Sequence, residues 1–94
     1  SEPLGKTLLN NNGCLSCHSM GSETLVGPGF KGIVGRMVKT NNGELASDRV
    51  YLKDAILEPN KDVVDGFSPG MMPPSPHLNE KDINEIIDYL SSNK

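Results

Sequence analysis

Cys14, Cys17 and His18 are the residues of this chain best suited to chemistry: two thiols three positions apart, with an imidazole directly after the second. Such a pair can serve as a redox dithiol, as part of a zinc site or, when His follows, as the attachment point of a c-type haem. In the last case the reaction dictates the order of residues. The thiols add across the two vinyl groups of one porphyrin edge, and the next residue is held under the iron as its proximal ligand. The chain has no other cysteine, so a four-thiolate zinc site is impossible and a mixed one would have to recruit His18 and His77. His18 is poorly placed to share a tetrahedral ion with its own neighbour Cys17. A thioredoxin-like dithiol would sit among long apolar β-runs, whereas the neighbours here are Asn10-Asn11-Asn12-Gly13 and Ser19-Met20-Gly21-Ser22. The residues therefore favour one covalently attached haem c, with thioethers from Cys14 and Cys17 and iron ligation by His18.

An iron held by His18 needs a sixth ligand or an open face. Met71-Met72-Pro73-Pro74 offers a soft, neutral thioether, which favours ferrous iron and raises the potential. Met72 is preferred because the two prolines that follow stiffen the chain beside it, and Met71 is the neighbouring alternative. Met20 and Met37 read as packing residues. His77 would give bis-histidine ligation, but a lone His just before a helix cap reads as solvent-facing.

Three helices must position these groups. The first starts with Ser1 as cap and Pro3 in its first turn, carries Leu4 and Leu8 four apart, and stops in the Asn10 to Gly13 run. The second begins near Ser47 or Asp48, places Tyr51, Leu52, Ala55 and Ile56 on one face, and ends at Pro59. The third is capped by Asn79, with Asp82 at the third position and Leu78 stapled to Ile83. Ile83, Ile86, Ile87 and Leu90 then follow a helical stripe. Between the first two helices, Asn42-Gly43 predicts a tight turn joining residues 37–39 to 44–46 in a short hairpin. The remaining connections are long and rich in Gly and Pro, with four prolines between residues 66 and 78, and need a ligand to order them.

Ninety-four residues make a single domain, 1–94, without Trp and with only Phe30, Phe67, Tyr51 and Tyr89 as aromatics. A protein-only core of this size is marginal, and a porphyrin would fill its centre. The net charge of −3, with Lys and Arg scattered singly, offers no basic patch for nucleic acid. No segment is long and apolar enough to insert in a membrane, and Ser1-Glu2-Pro3 is no signal peptide. Haem is attached to such motifs outside the cytoplasm in bacteria. The expected location is therefore the periplasm or the extracytoplasmic face of a membrane, with an export signal or anchor upstream of the chain.

With Cys14-x-x-Cys17-His18, Gly27-Pro28, Gly35-Arg36, Met72-Pro73 and a final helix ending Ile87-Asp88-Tyr89-Leu90, the chain resembles class I cytochrome c over nearly its whole length. More narrowly, Leu25-Val26-Gly27-Pro28, Tyr51-Leu52-x-x-Ala55-Ile56-Leu57-x-Pro59 and Val63-Val64-x-Gly66-Phe67-x-Pro69-x-Met71-Met72-Pro73 resemble two kinds of protein. These are the cytochrome domain fused to subunit II of bacterial haem-copper oxidases, and its free-standing periplasmic relatives. The resemblance implies an all-α fold whose first and last helices cross beside the haem, with Gly5 allowing their close approach. It also implies that the Pro28 carbonyl orients His18, that Arg36 sits near a propionate, and that Phe67 lies at the ring or the Met loop. The family's mitochondrial members have a Trp by the propionates, and Tyr51 is the candidate for that contact here.

The expected activity is one-electron transfer, as a carrier or as the domain through which electrons reach a respiratory oxidase, and not catalysis. The rival is a haem protein with a labile Met ligand, acting as peroxidase or gas sensor, for which the sequence supplies no distal acid and base beyond His77. The partners would be redox proteins meeting a monomer at its haem edge. Residues 13–22 and 66–78 carry no Lys, Arg, Asp or Glu, and in this family they flank that edge. The docking patch, including Leu15, Ser16, Met20, Pro69 and Met71, is thus expected to be uncharged. The rate of electron transfer to a physiological partner should vary by less than about threefold between about 0.01 and 0.15 M ionic strength, measured by stopped flow. A steep fall would contradict an uncharged patch.

Overall fold

The computed structural model describes residues 3–67 and 70–93, so Ser1 and Pro69 lie outside it. Among the described residues the elements run α1 (Leu4–Asn11), a 3-10 turn (Cys14–Ser16), β1 (Met37–Thr40), β2 (Gly43–Ala46), α2 (Arg49–Leu57) and α3 (Glu80–Ser91). This is the small helical architecture that the resemblance implies, three main helices joined by Gly/Pro-rich segments.

The third helix forms as its sequence dictates. The Asn79 side chain accepts the Asp82 N–H at 2.8 Å, satisfying a donor that the first turn leaves unpaired, while Glu80 and Asp82 complement the positive end of the helix. Leu78 just before the cap and Ile83 at the fourth helical position are both buried, as a hydrophobic staple requires. Ile83, Ile86, Ile87 and Leu90 form the buried face.

Pro3 caps α1, its carbonyl accepting the Thr7 N–H. The buried face of α1 differs from the Leu4/Leu8 stripe: Gly5 and Leu9 are buried, Leu8 is partly so, and Leu4 is 42 % exposed. The cause is steric. A methyl group at Gly5 would run into the Glu85 carbonyl oxygen and lie 2.6 Å from the Tyr89 Cβ, so only glycine lets the two backbones approach this closely. The α1 side that meets α3 is thus the one centred on Gly5 and Leu9.

Asp48 caps α2 by accepting the Tyr51 N–H at 2.9 Å, and the helix ends at Glu58 ahead of Pro59. Arg49 reaches across to α3, donating to Asp88 at 2.8 Å and Asn84 Oδ1 at 3.0 Å. The hairpin turns one residue earlier than Asn42-Gly43. Thr40 pairs with Gly43, leaving Asn41 and Asn42 as the turn, and the positive φ of 101° falls on Gly43 alone. Thr40 Oγ1 closes this turn by accepting the Asn42 N–H and donating to the Gly43 carbonyl. The outer edge of β1 holds residues 63–65, through Asn41 N–H to the Val63 carbonyl at 3.0 Å and Asp65 N–H to the Lys39 carbonyl at 2.8 Å. No helix among the described residues is long and apolar enough to cross a membrane.

Replacing Gly5 by Ala would gain about 1 kcal/mol in helix propensity, but overpacking costs about 1–3 kcal/mol, so the clash wins. Gly5→Ala is expected to lower the denaturant midpoint of the haem-loaded protein, by a net loss of about 1–2 kcal/mol.

Candidate functional site

Asn12 ends α1, and Gly13 then turns the chain with a φ of 71° that favours glycine. The turn that follows is closed by Cys17 N–H and His18 N–H donating to the Cys14 carbonyl at 3.3 and 3.1 Å. Winding residues 14–18 into one turn sets Cys14, Cys17 and His18 on the wall of a single deep cleft. The two thiols form no disulfide. Burial pushes the Cys14 thiol above its ordinary range, against a smaller lowering by a backbone hydrogen bond. A redox-active Cys-x-x-Cys needs the reverse, a stabilised thiolate. Among the described residues no three His, Cys, Asp or Glu side chains converge as a metal-binding group, so a zinc site lacks its ligand set.

His18 is held from three directions. Its Nδ1 lies 2.7 Å from the Pro28 carbonyl oxygen. A carbonyl can only accept, so Nδ1 carries the proton and Nε2 keeps a free lone pair for a metal. Phe30 stacks on the ring with centroids 4.4 Å apart and planes 18° from parallel. Gly27 passes so close that a Cβ there would overlap the imidazole, approaching Nδ1 to 2.8 Å. Segment 27–30 is itself sewn to the turn by Gly27 N–H to the Cys17 carbonyl and Phe30 N–H to the Ser19 carbonyl, both 2.8 Å. Burial lowers the affinity of His18 for a second proton, opposed by the Pro28 bond, so the ring is kept neutral as a ligand must be.

The rest of the lining comes from α2 and from the segments that precede Ser68 and follow Pro69. Leu52, Ala55, Ile56, Val64 and Phe67 belong to it, and Met71 and Met72 complete it. Met72 is half-buried, whereas Met71 is 58 % exposed. The segment is fixed by Gly70 N–H to Asn60 Oδ1 at 2.7 Å and Ser75 N–H to the Ile56 carbonyl at 3.1 Å. Pro28 and Tyr51 also reach the cleft. Burial, then the negative charge of Asp62, raises the Tyr51 phenol above its usual range, with Arg36 acting in the opposite sense; the phenol stays a hydrogen-bond donor.

Arg36 does not itself line the cleft: its guanidinium donates to the Gly29 and Lys31 carbonyls at 3.0 and 3.2 Å, and its charge acts on Tyr51 at the cleft. His77 is exposed and off the cleft wall, yet not merely solvated: its Nε2 is 2.6 Å from Asn12 Oδ1. Phe30 and Gly27 were not legible as ligand-positioning residues. The one available signal was an aromatic stranded in a glycine-rich segment, which must pack on something.

The cleft is open at its mouth and its lining is mostly apolar. Such a cleft, lined by two thiols, a neutral imidazole and the thioethers of Met71 and Met72, fits a covalently tethered porphyrin. The family model described as cytochrome c matches residues 3–94. Among solved structures, cytochrome cH from Methylobacterium extorquens is 26% identical, with 95% of each chain covered and a TM-score of 0.71. No curated protein matched.

Because Gly27 leaves room for the imidazole, Gly27→Ala is expected to displace His18. It should destabilise the haem-loaded protein by about 1–3 kcal/mol, read by chemical denaturation.

Proposed function

Since the chain belongs to the cytochrome c family, an electron carrier and not an enzyme, we propose that it carries single electrons outside the cytoplasm through one haem c with His18 and Met72 as axial ligands. A bound haem supplies an iron that changes oxidation state by one electron. The chain does the rest. Cys14 and Cys17 fix the cofactor edge, and His18 presents Nε2 in an orientation set by Pro28, Phe30 and Gly27. Met72 would supply its thioether from a segment braced by Asn60 and Ile56. Apolar walls exclude water and, together with the thioether, favour the ferrous state.

The observation that supports this reading best is that a hydrogen-bonded His18 and a half-buried Met72 line the same apolar cleft. Tyr51, a protonated phenol beside Asp62, is assigned the haem propionates. Arg36 serves them less directly, by bracing segment 28–31 from behind. The narrower likeness to an oxidase-fused domain rests on the sequence motifs alone, so electron transfer is proposed without a specific acceptor. The partner surface is the rim of the cleft, where Val26 and Met71 are about half exposed and Leu15 and Ser16 add no charge. Encounters at such a rim are small and transient.

The ferric protein is expected to show a weak absorption band at about 700 nm from sulfur ligation. Met72→Ala should abolish it and lower the reduction potential, whereas Met71→Ala should keep it. Rapid carbon monoxide binding by the unmodified ferrous protein would point instead to an open iron.

A further inference from the structure

The bond between His77 and Asn12 is used neither by haem attachment nor by axial ligation, yet it joins residues 65 positions apart. We propose that His77 is a positioning residue: its Nε2–H, donated to Asn12 Oδ1, clasps the Met72 segment to the wall bearing Cys14, Cys17 and His18, and so holds the cleft shut against outside ligands. The inference rests on Met72 being the sixth ligand.

Asn12 is a rigid acceptor. Its backbone N–H and its side-chain Nδ2 both donate to the Leu8 carbonyl, at 3.0 and 2.8 Å. With the amide nitrogen so engaged, Oδ1 is the atom left facing His77, and an amide oxygen only accepts. The His77 proton must therefore reside on Nε2. Asn12 itself lines the cleft, two residues before Cys14, so whatever holds Asn12 is fixed relative to the thiols.

The opposite partner is placed to matter. The other polar bonds described for the Met72 segment, from Gly70 to Asn60 and from Ser75 to Ile56, tie it to the α2 side of the molecule. Leu78 anchors its far end in the core. His77 lies between Ser75 and Leu78 and ties the segment to the α1 side. A segment held by α2 alone can swing away from His18 as a flap; one held on both sides cannot without breaking the His77 bond.

The test uses the ferric holoprotein with imidazole as the probe, following the loss of the band at about 700 nm. An exposed hydrogen bond contributes a factor of roughly three to ten to such an opening equilibrium. His77→Phe, which keeps a ring but no donor, is expected to admit imidazole about three to ten times faster. His77→Gln, whose amide can still donate, should stay within about twofold of the unmodified protein. In an Asn12→Ala background, His77→Phe should add nothing. An unchanged rate in His77→Phe, or the same acceleration without Asn12, overturns the clasp. If the unmodified protein lacks the band, the Met72 reading fails on its own account, and nitrogen NMR of His77 decides the clasp. A neutral ring protonated on Nε2 supports it, and one protonated on Nδ1 overturns it.

Discussion

The hydrogen bond from His18 Nδ1 to the Pro28 carbonyl fixes more of this molecule than any other single contact. It selects the tautomer that leaves Nε2 available, and it sets the plane of the ring. It also requires segment 27–30 to run directly past the imidazole. That course is possible only because Gly27 has no side chain to obstruct the ring and Phe30 can lie flat against it. The same segment must then be held from behind, which is the work of Arg36 on the Gly29 and Lys31 carbonyls. A loop with no regular structure thus becomes a rigid bracket for one side chain.

That rigidity revises the role of the cofactor in ordering the long connections. Their length alone implied that a ligand must organise them, yet much of the order is main-chain bonding between loops. Lys31 N–H donates to the Gly21 carbonyl, Gly32 N–H to that of Asn93, and the Asn93 side chain to that of Met20. Residues 63–65 similarly lie along the edge of β1, which seats Val63 and Val64 at the cleft. These seams pair backbone groups that no helix or hairpin ladder satisfies.

What the sequence discloses follows how local the governing physics is. The third helix was readable almost to the residue, because its cap, staple and apolar stripe all lie within fourteen positions of one another. Cys14, Cys17 and His18 were readable because covalent chemistry imposes their spacing. The Leu4/Leu8 stripe missed the buried face of α1 because Gly5 carries no hydropathy signal; only the resemblance pointed to its close approach, which depends on Glu85 and Tyr89 far along the chain. The hairpin turn shifted by one residue because the Thr40 hydroxyl, not the Asn-Gly pair, closes it. Arg36 was placed by the resemblance and His77 by residue type, and for such side chains the partner decides: two carbonyls for one, an amide oxygen for the other.

The close approach at Gly5 joins the two ends of the described chain, and this grades the molecule's resistance to opening. Bringing α1 and α3 together costs loop-closure entropy of about 4 kcal/mol beyond its constant term, offset by the burial of Leu9 against the isoleucine face. The turn bearing Cys14 packs on α1 and α2 packs on α3, so separating the pair would open the core. The Met72 segment can lift by giving up only a few peripheral bonds and belongs to the low end of the stability scale. The two walls of one cleft therefore differ in mechanical character: the wall of His18 is built into the foundation of the fold, and the wall of Met72 is hung from it.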